Sequence, residues 1–88
     1  MSYANYSEIE HKVANHEHFN SGNRRTLSEK DGGYSVISYA TTIGRYTPET
    51  GHRINNSRYS QTTSRLQSIL KRAWPDAVLV EDEGALFD

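Results

Sequence analysis

The 88-residue sequence contains no cysteine, which excludes disulfide bridges and thiolate metal sites. No apolar run approaches the ~20 residues that a membrane span requires, and no secretory apolar segment follows Met1. A soluble, cytoplasmic protein is therefore expected, with no membrane partner. Hydrophobic residues are also scarce, at 34%. A single domain of this length buries only about 60–65% of its unfolded surface, so its core must be thin. Six tyrosines compensate, because a tyrosine contributes large apolar area once its hydroxyl finds a partner. Strong net charge is missing too: the balance is −1 with a pI near 6.4, which argues against a dedicated nucleic-acid binder.

What charge there is lies segregated. Between Arg45 and Arg72 stand six cations (Arg45, Arg53, Arg58, Arg65, Lys71 and Arg72) against Glu49 alone. Between Asp76 and Asp88 stand five acids (Asp76, Glu81, Asp82, Glu83 and Asp88) and no base. Such asymmetry marks either a polyanion surface beside an acidic tail or two segments that satisfy each other's field.

The first element reads as a helix over residues 7–18. Ser7 and Glu10 have capping-box spacing, and Tyr6, Ile9, Val13 and Phe19 supply a narrow apolar stripe. The run NSGN then signals a loop. RRTLSEK reads as a short strand, and DGG, residues 31–33, as a tight hairpin turn. YSVISYATTIGRY is rich in β-branched and aromatic residues and reads as one long central strand. Its two faces would carry Ile37, Tyr39, Thr41 and Ile43 against Tyr34, Val36, Ser38 and Ala40. TPETG makes the next turn and HRINN a third strand. Leu66, Ile69, Leu70 and Ala73 then follow helical spacing, Ser60, Thr62 and Thr63 crowd the helix start, and Pro75 stops it. Residues 77–80 read as an edge strand. The expected fold is α+β: a three-stranded antiparallel meander in α-β-β-β-α order, helices on one face. One domain would span residues 1–80, followed by an acidic tail, 81–88, in which Leu86 and Phe87 are able to anchor.

Tyr39, Thr42, Ile43, Asn55, Tyr59, Ser60, Thr62, Thr63, Ser64 and Arg65 carry a resemblance. Over residues 23–73 the chain resembles a group of small uncharacterised proteins of phages and other mobile elements. In that group a strand and hairpin lead to an asparagine, a YSxTTS segment and a helix. The chain departs from the pattern at Leu66, where the group has histidine. The resemblance implies a shared fold and a mobile-element source, and no reaction.

Several residue sets bear on function. Thr62, Thr63, Ser64 and Arg65 combine helix-start amides, hydroxyls and a guanidinium, the makings of an anion-binding cap, against the plainer role of an ordinary helix cap. No glycine allows close backbone approach to a phosphate there. Arg24, Arg25, Arg45, Arg53, Arg58 and Arg65, interleaved with Tyr46 and Tyr59, have the chemistry of a nucleic-acid surface. His11, His16 and His18 have poor spacing for one helical metal site, so no metal or other cofactor is expected. No nucleophile elbow or metalloprotease motif is present, and a short meander leaves little room for a deep pocket, so no catalytic residue is assigned.

The leading expectation is a non-enzymatic, anti-CRISPR-like interaction protein. It would inhibit a host protein or ribonucleoprotein complex of antiviral defence, such as a CRISPR effector. Tyr59, Arg58, Arg65, Glu81, Asp82 and Glu83 would make the contact, with Tyr59, Arg58 and Arg65 alternatively serving a homodimer. A small nucleic-acid-binding accessory protein and a sponge for an anionic signal are the alternatives.

Overall fold

The computed structural model describes residues 6–29 and 32–87. Lys30, the end of the expected RRTLSEK strand, Asp31 of the expected DGG turn, and Asp88 of the acidic run lie outside the described residues. The elements are α1 (Tyr6–Ala14), β1 (Asn20–Ser21), β2 (Arg24–Glu29), β3 (Gly33–Ser38), β4 (Thr41–Thr47), β5 (Gly51–Asn55), α2 (Gln61–Ala73), β6 (Val78–Val80) and a terminal 3-10 turn (Gly84–Phe87). The fold is α+β, as expected, but the sheet is not a three-stranded meander. Among the described residues it has six strands, in the order β1-β2-β3-β4-β5-β6.

Three local events account for the difference. The run expected as one long strand folds back on itself: Ser38 pairs with Thr41, closing a two-residue turn at Tyr39–Ala40. Tyr39 takes φ +56°, a conformation usually left to glycine or asparagine, so the turn carries none of the usual markers. A two-residue β1 adds antiparallel to β2. After α2, β6 returns parallel to β5, with Ile54 beside Leu79, making a βαβ crossover at the sheet edge. β6 confirms the edge strand expected over 77–80 almost residue for residue.

The faces expected for the long run are rearranged as well. The register shifts between Val36 and Ile37, leaving Ile43 as an extra residue in β4. That bulge sends Ile43 to the same side as Val36 and Tyr34, so all three enter one core. Ile37, also buried, does not belong to that cluster.

α1 is shorter than expected and ends at Ala14. Glu17 N donates to Lys12 O at 2.7 Å and His16 N to Val13 O at 3.1 Å, with His16 at φ +54°. These bonds make a Schellman closure in which histidine stands at the position glycine normally fills. Ser7 lies inside the helix, one residue past its start, so it does not cap it.

α2 forms as its spacing requires. Ser60 caps it, its hydroxyl accepting from Thr63 N at 3.3 Å, and Lys71 and Arg72 sit in the last turn, where the dipole favours cations. Leu66, Ile69 and Leu70 pack with Ile9 and Val13 of α1 against Tyr34, Val36, Ile43 and Ile54 of the sheet. Trp74 closes this core, its indole N–H donating to Val13 O at 3.0 Å. Each of these aliphatic side chains contributes roughly 1.5–3 kcal/mol by burial. No helix among the described residues is long and apolar enough to cross a membrane.

The acidic tail does not extend from this body. Residues 81–87 fold back over the sheet face opposite the helices and bury Leu86 completely. Arg45 Nη1 donates to Leu86 O at 3.2 Å and Arg53 Nη1 to Ala85 O at 3.1 Å. The Arg45 guanidinium lies 4.6 Å from the centre of the Phe87 ring. The basic and acidic segments thus meet inside one molecule, Arg45 and Arg53 each donating to a backbone carbonyl of the terminal turn.

Candidate functional site

Asn55, Thr63 and Gln67 serve the connection from β5 to α2. Asn55 is fully buried. Its Nδ2 donates to Thr42 O at 3.3 Å and to the Tyr59 hydroxyl at 2.9 Å, while its Oδ1 accepts from Ser57 N at 3.0 Å. Gln67, buried on α2, donates to Asn55 O at 2.7 Å and Ser57 O at 2.8 Å. Thr63, also buried, shares a 2.9 Å hydrogen bond with Ser38 Oγ. Asn55 and Gln67 therefore satisfy backbone groups that the crossover would leave unpaired.

This placement divides the anion cap foreseen at the start of α2. The Thr63 hydroxyl is turned inward, while Ser64 and Arg65 are exposed and Thr62 is half-buried. The partner set divides similarly. Arg58 is exposed, and Tyr59 is 39% exposed but holds its hydroxyl against Asn55. Glu83 accepts from Thr42 N at 2.6 Å, and Asp82 caps the terminal turn by accepting from Ala85 N at 2.9 Å. Glu81 is exposed, and its backbone carbonyl accepts a hydrogen bond from the Ser57 hydroxyl. The acids thus stand near Ser57 and Thr42, on the flank of the same loop that carries Arg58 and Tyr59.

The three N-terminal histidines go to separate places. His11 is exposed on α1, and His18 bonds Thr26 and Ser28 at 2.9 Å each. His16 meets a residue that the sequence did not single out: its Nε2 lies 2.9 Å from His52 Nε2. His52 Nδ1 in turn lies 3.2 Å from the Asp76 carboxylate. The carboxylate makes Nδ1 of His52 the protonated nitrogen, so its Nε2 accepts from His16. Aromatic rings enclose this chain: Tyr46 lies 4.4 Å from His16, and Trp74 4.5 Å from His52, centre to centre. Burial, and then the neighbouring His52, lower the His16 pKa below its ordinary 6.5. Burial likewise pushes the Tyr34 hydroxyl up, and that hydroxyl donates to Glu17 O at 2.6 Å. Positions 16, 52 and 76 have no sequence spacing that would reveal them, since the turn after α1, strand β5 and the turn after α2 bring them together. Among the described residues, no group of three or more histidine or acidic side chains is arranged to hold a metal ion.

On the opposite sheet face, burial would raise the Glu29 carboxyl. Hydrogen bonds from Arg45 and Ser35, with the Arg45 charge, outweigh that and hold it below its usual value. This carboxylate ties β2 to β3 and β4 beneath the terminal turn.

Large apolar side chains remain outside. On β6 Val78 is 58% exposed and Leu79 50%, and on the terminal turn Phe87 is 51% exposed; elsewhere Leu27, Tyr39 and Tyr59 stand out. Comparison with curated proteins and with solved structures finds no match. The chain belongs to DUF8033, a family of unknown function, which matches it over residues 4–72, as far as the last turn of α2.

Proposed function

We propose that this chain is a non-enzymatic interaction protein that binds a protein component of a host complex. The observation that carries this reading is the contrast between its inside and its outside. The polar motif residues Asn55, Thr63 and Gln67 are spent on internal hydrogen bonds, whereas Val78 and Leu79 stand half-exposed on β6, followed in the chain by the exposed Glu81 and Asp82. Exposed apolar groups edged by charge are a frequent character of protein-binding surfaces. The resemblance to mobile-element proteins makes a defence assembly, a CRISPR effector among them, the partner class. Inhibition follows if the acidic residues occupy a basic groove that otherwise holds nucleic acid.

Capture from a nuclease-treated host lysate with the tagged chain tests this. A stoichiometric protein partner released by salt is the expected result. Recovery of no protein overturns the proposal.

A second reading rests on Tyr39 and Tyr59, both exposed aromatics, with Arg25 and Arg58 exposed nearby in sequence or contact. Arg25 donates to Tyr39 O at 3.2 Å, fixing the β3–β4 turn. Such side chains stack bases and hold phosphates. Glu81 and Glu83 beside the Tyr59 loop weigh against it. Electrophoretic mobility at low salt decides: a shift of single strands that Tyr39→Ala and Tyr59→Ala remove supports this reading, and no shift retires it.

A further inference from the structure

We infer that the open edge of β6 accepts an extended segment of a partner protein, apolar at its centre and flanked by lysine or arginine. The inference rests on the interaction-protein reading and gives that partner a chemistry. β6 is the last strand of the sheet and pairs on one side only, with β5. Its outer edge offers backbone donors and acceptors with no strand to receive them, the usual template for strand addition. Successive residues of a strand face opposite ways. Val78 lies beside Arg53, on the face that the terminal turn covers, and Leu79 lies beside Ile54, on the helix face. Because both are half-exposed, the edge is apolar on both faces. Next to Leu79 is a shallow depression lined by Ile54, Lys71, Trp74, Pro75 and Ala77, a place for one side chain of an incoming strand.

Charge selects among occupants. The segment Asp76-Ala77-Val78-Leu79-Val80-Glu81-Asp82 has three acids and no base. A second copy pairing antiparallel about Leu79 would set Asp76 opposite Asp82 at both ends, and like charges directly opposed destabilise a strand pair. The same acids attract basic flanks and would align an apolar centre over Val78 and Leu79. Since β6 is only three residues long, few backbone bonds form, so the side chains and flanking charges must supply most of the affinity and all of the selectivity.

The test uses the full chain and two synthetic peptides with one alternating valine–threonine centre, one flanked by Lys-Arg and the other by Glu-Asp. Amide NMR spectra should show the basic peptide shifting resonances of residues 77–81, with binding at least about tenfold weaker for the acidic peptide and in raised salt. Leu79→Lys, at a half-exposed site, should keep the dispersed spectrum and abolish the shifts. Equal binding of both peptides, shifts confined to other surfaces, or no shifts with either peptide overturns the edge assignment. So does a concentration-dependent dimer with 77–81 at its interface. The interaction-protein reading is untouched by these results, since it stands or falls on capture of a partner.

Discussion

Gly44 on β4 lies directly beneath α2, and replacing it by alanine should destabilise the fold. A Cβ at this position would sit 2.7 Å from Leu70 Cδ1 and 2.9 Å from Trp74 Cζ3. Carbon atoms in optimal contact stand about 3.5–4.0 Å apart, so the new methyl overlaps both by roughly an ångström. Neither neighbour yields easily. Leu70 is fully buried among the helices, and the Trp74 ring is held by its bond to Val13 O. Overpacking of this kind costs about 1–3 kcal/mol. Removing glycine from the unfolded chain returns about 0.4–1 kcal/mol, so a net loss of roughly 1–2 kcal/mol is expected. In a domain of this size each kcal/mol moves Tm by about 4–8 °C.

Urea and thermal unfolding followed through Trp74 fluorescence measure the effect. A double-mutant cycle sharpens it. Leu70→Ala alone should cost about 2–4 kcal/mol by opening a cavity. In the double variant the alanine methyl enters the vacated space, so the two losses should fall short of additivity by about 1 kcal/mol. The Trp74 contact remains, so rescue is partial. A Gly44→Ala protein as stable as the parent, or strict additivity in the cycle, would refute the close approach of β4 and α2.

Stability should fall as pH drops below 6.5, because the lowered pKa of His16 means the unfolded chain takes up a proton that the folded chain refuses. The loss begins as pH falls below the unfolded value of 6.5 and continues through the folded one. Urea midpoints should show a shallower slope for His16→Asn, and a wild-type midpoint that is flat or climbs toward acid pH would refute a lowered His16 pKa in the folded chain. Tyr39→Asn should stabilise by about 0.5–1 kcal/mol, since asparagine tolerates the positive φ and Tyr39 is half-exposed; a lower Tm would show that its ring contributes more than the strain costs. Asn55→Ala should cost about 1–3 kcal/mol, because the part-buried Thr42 carbonyl and Ser57 amide lose their partner; unfolding within error of wild type would mean that water replaces the amide.

How far the sequence spoke depended on whether the decisive interactions were local. α2 was legible to its last residue because cap, apolar spacing and proline stop all lie within one segment, from Ser60 to Pro75. β6 was legible for the same reason. The hairpin at Tyr39–Ala40 was not, because the alternation of apolar residues runs through it unbroken and tyrosine takes the conformation that glycine usually marks. His16 hid the end of α1 in the same way. In both cases strain at a non-glycine residue is sustained by contacts made elsewhere: Tyr39 N donates to Asn23 O at 2.7 Å, and His16 reaches His52.

The motif from Asn55 to Arg65 poses the subtler problem. Its composition, rich in hydroxyls, amide and guanidinium groups, fits a ligand site and an internal hydrogen-bonding scaffold equally well. Only burial separates the two. A parallel strand pair joined through a helix must cross over the sheet end, and that crossover leaves backbone groups needing partners under a lid of apolar side chains. Asn55 and Gln67 meet this need from opposite sides of the loop, one from the strand and one from the helix. Function is then left to the surfaces that the scaffold exposes. Because β6 is positioned by this crossover, through Asn56 N to Val80 O at 2.8 Å, the motif sets the edge without touching what the edge binds. Substitution of Gln67 should therefore alter stability first, and partner binding only as far as β6 loosens.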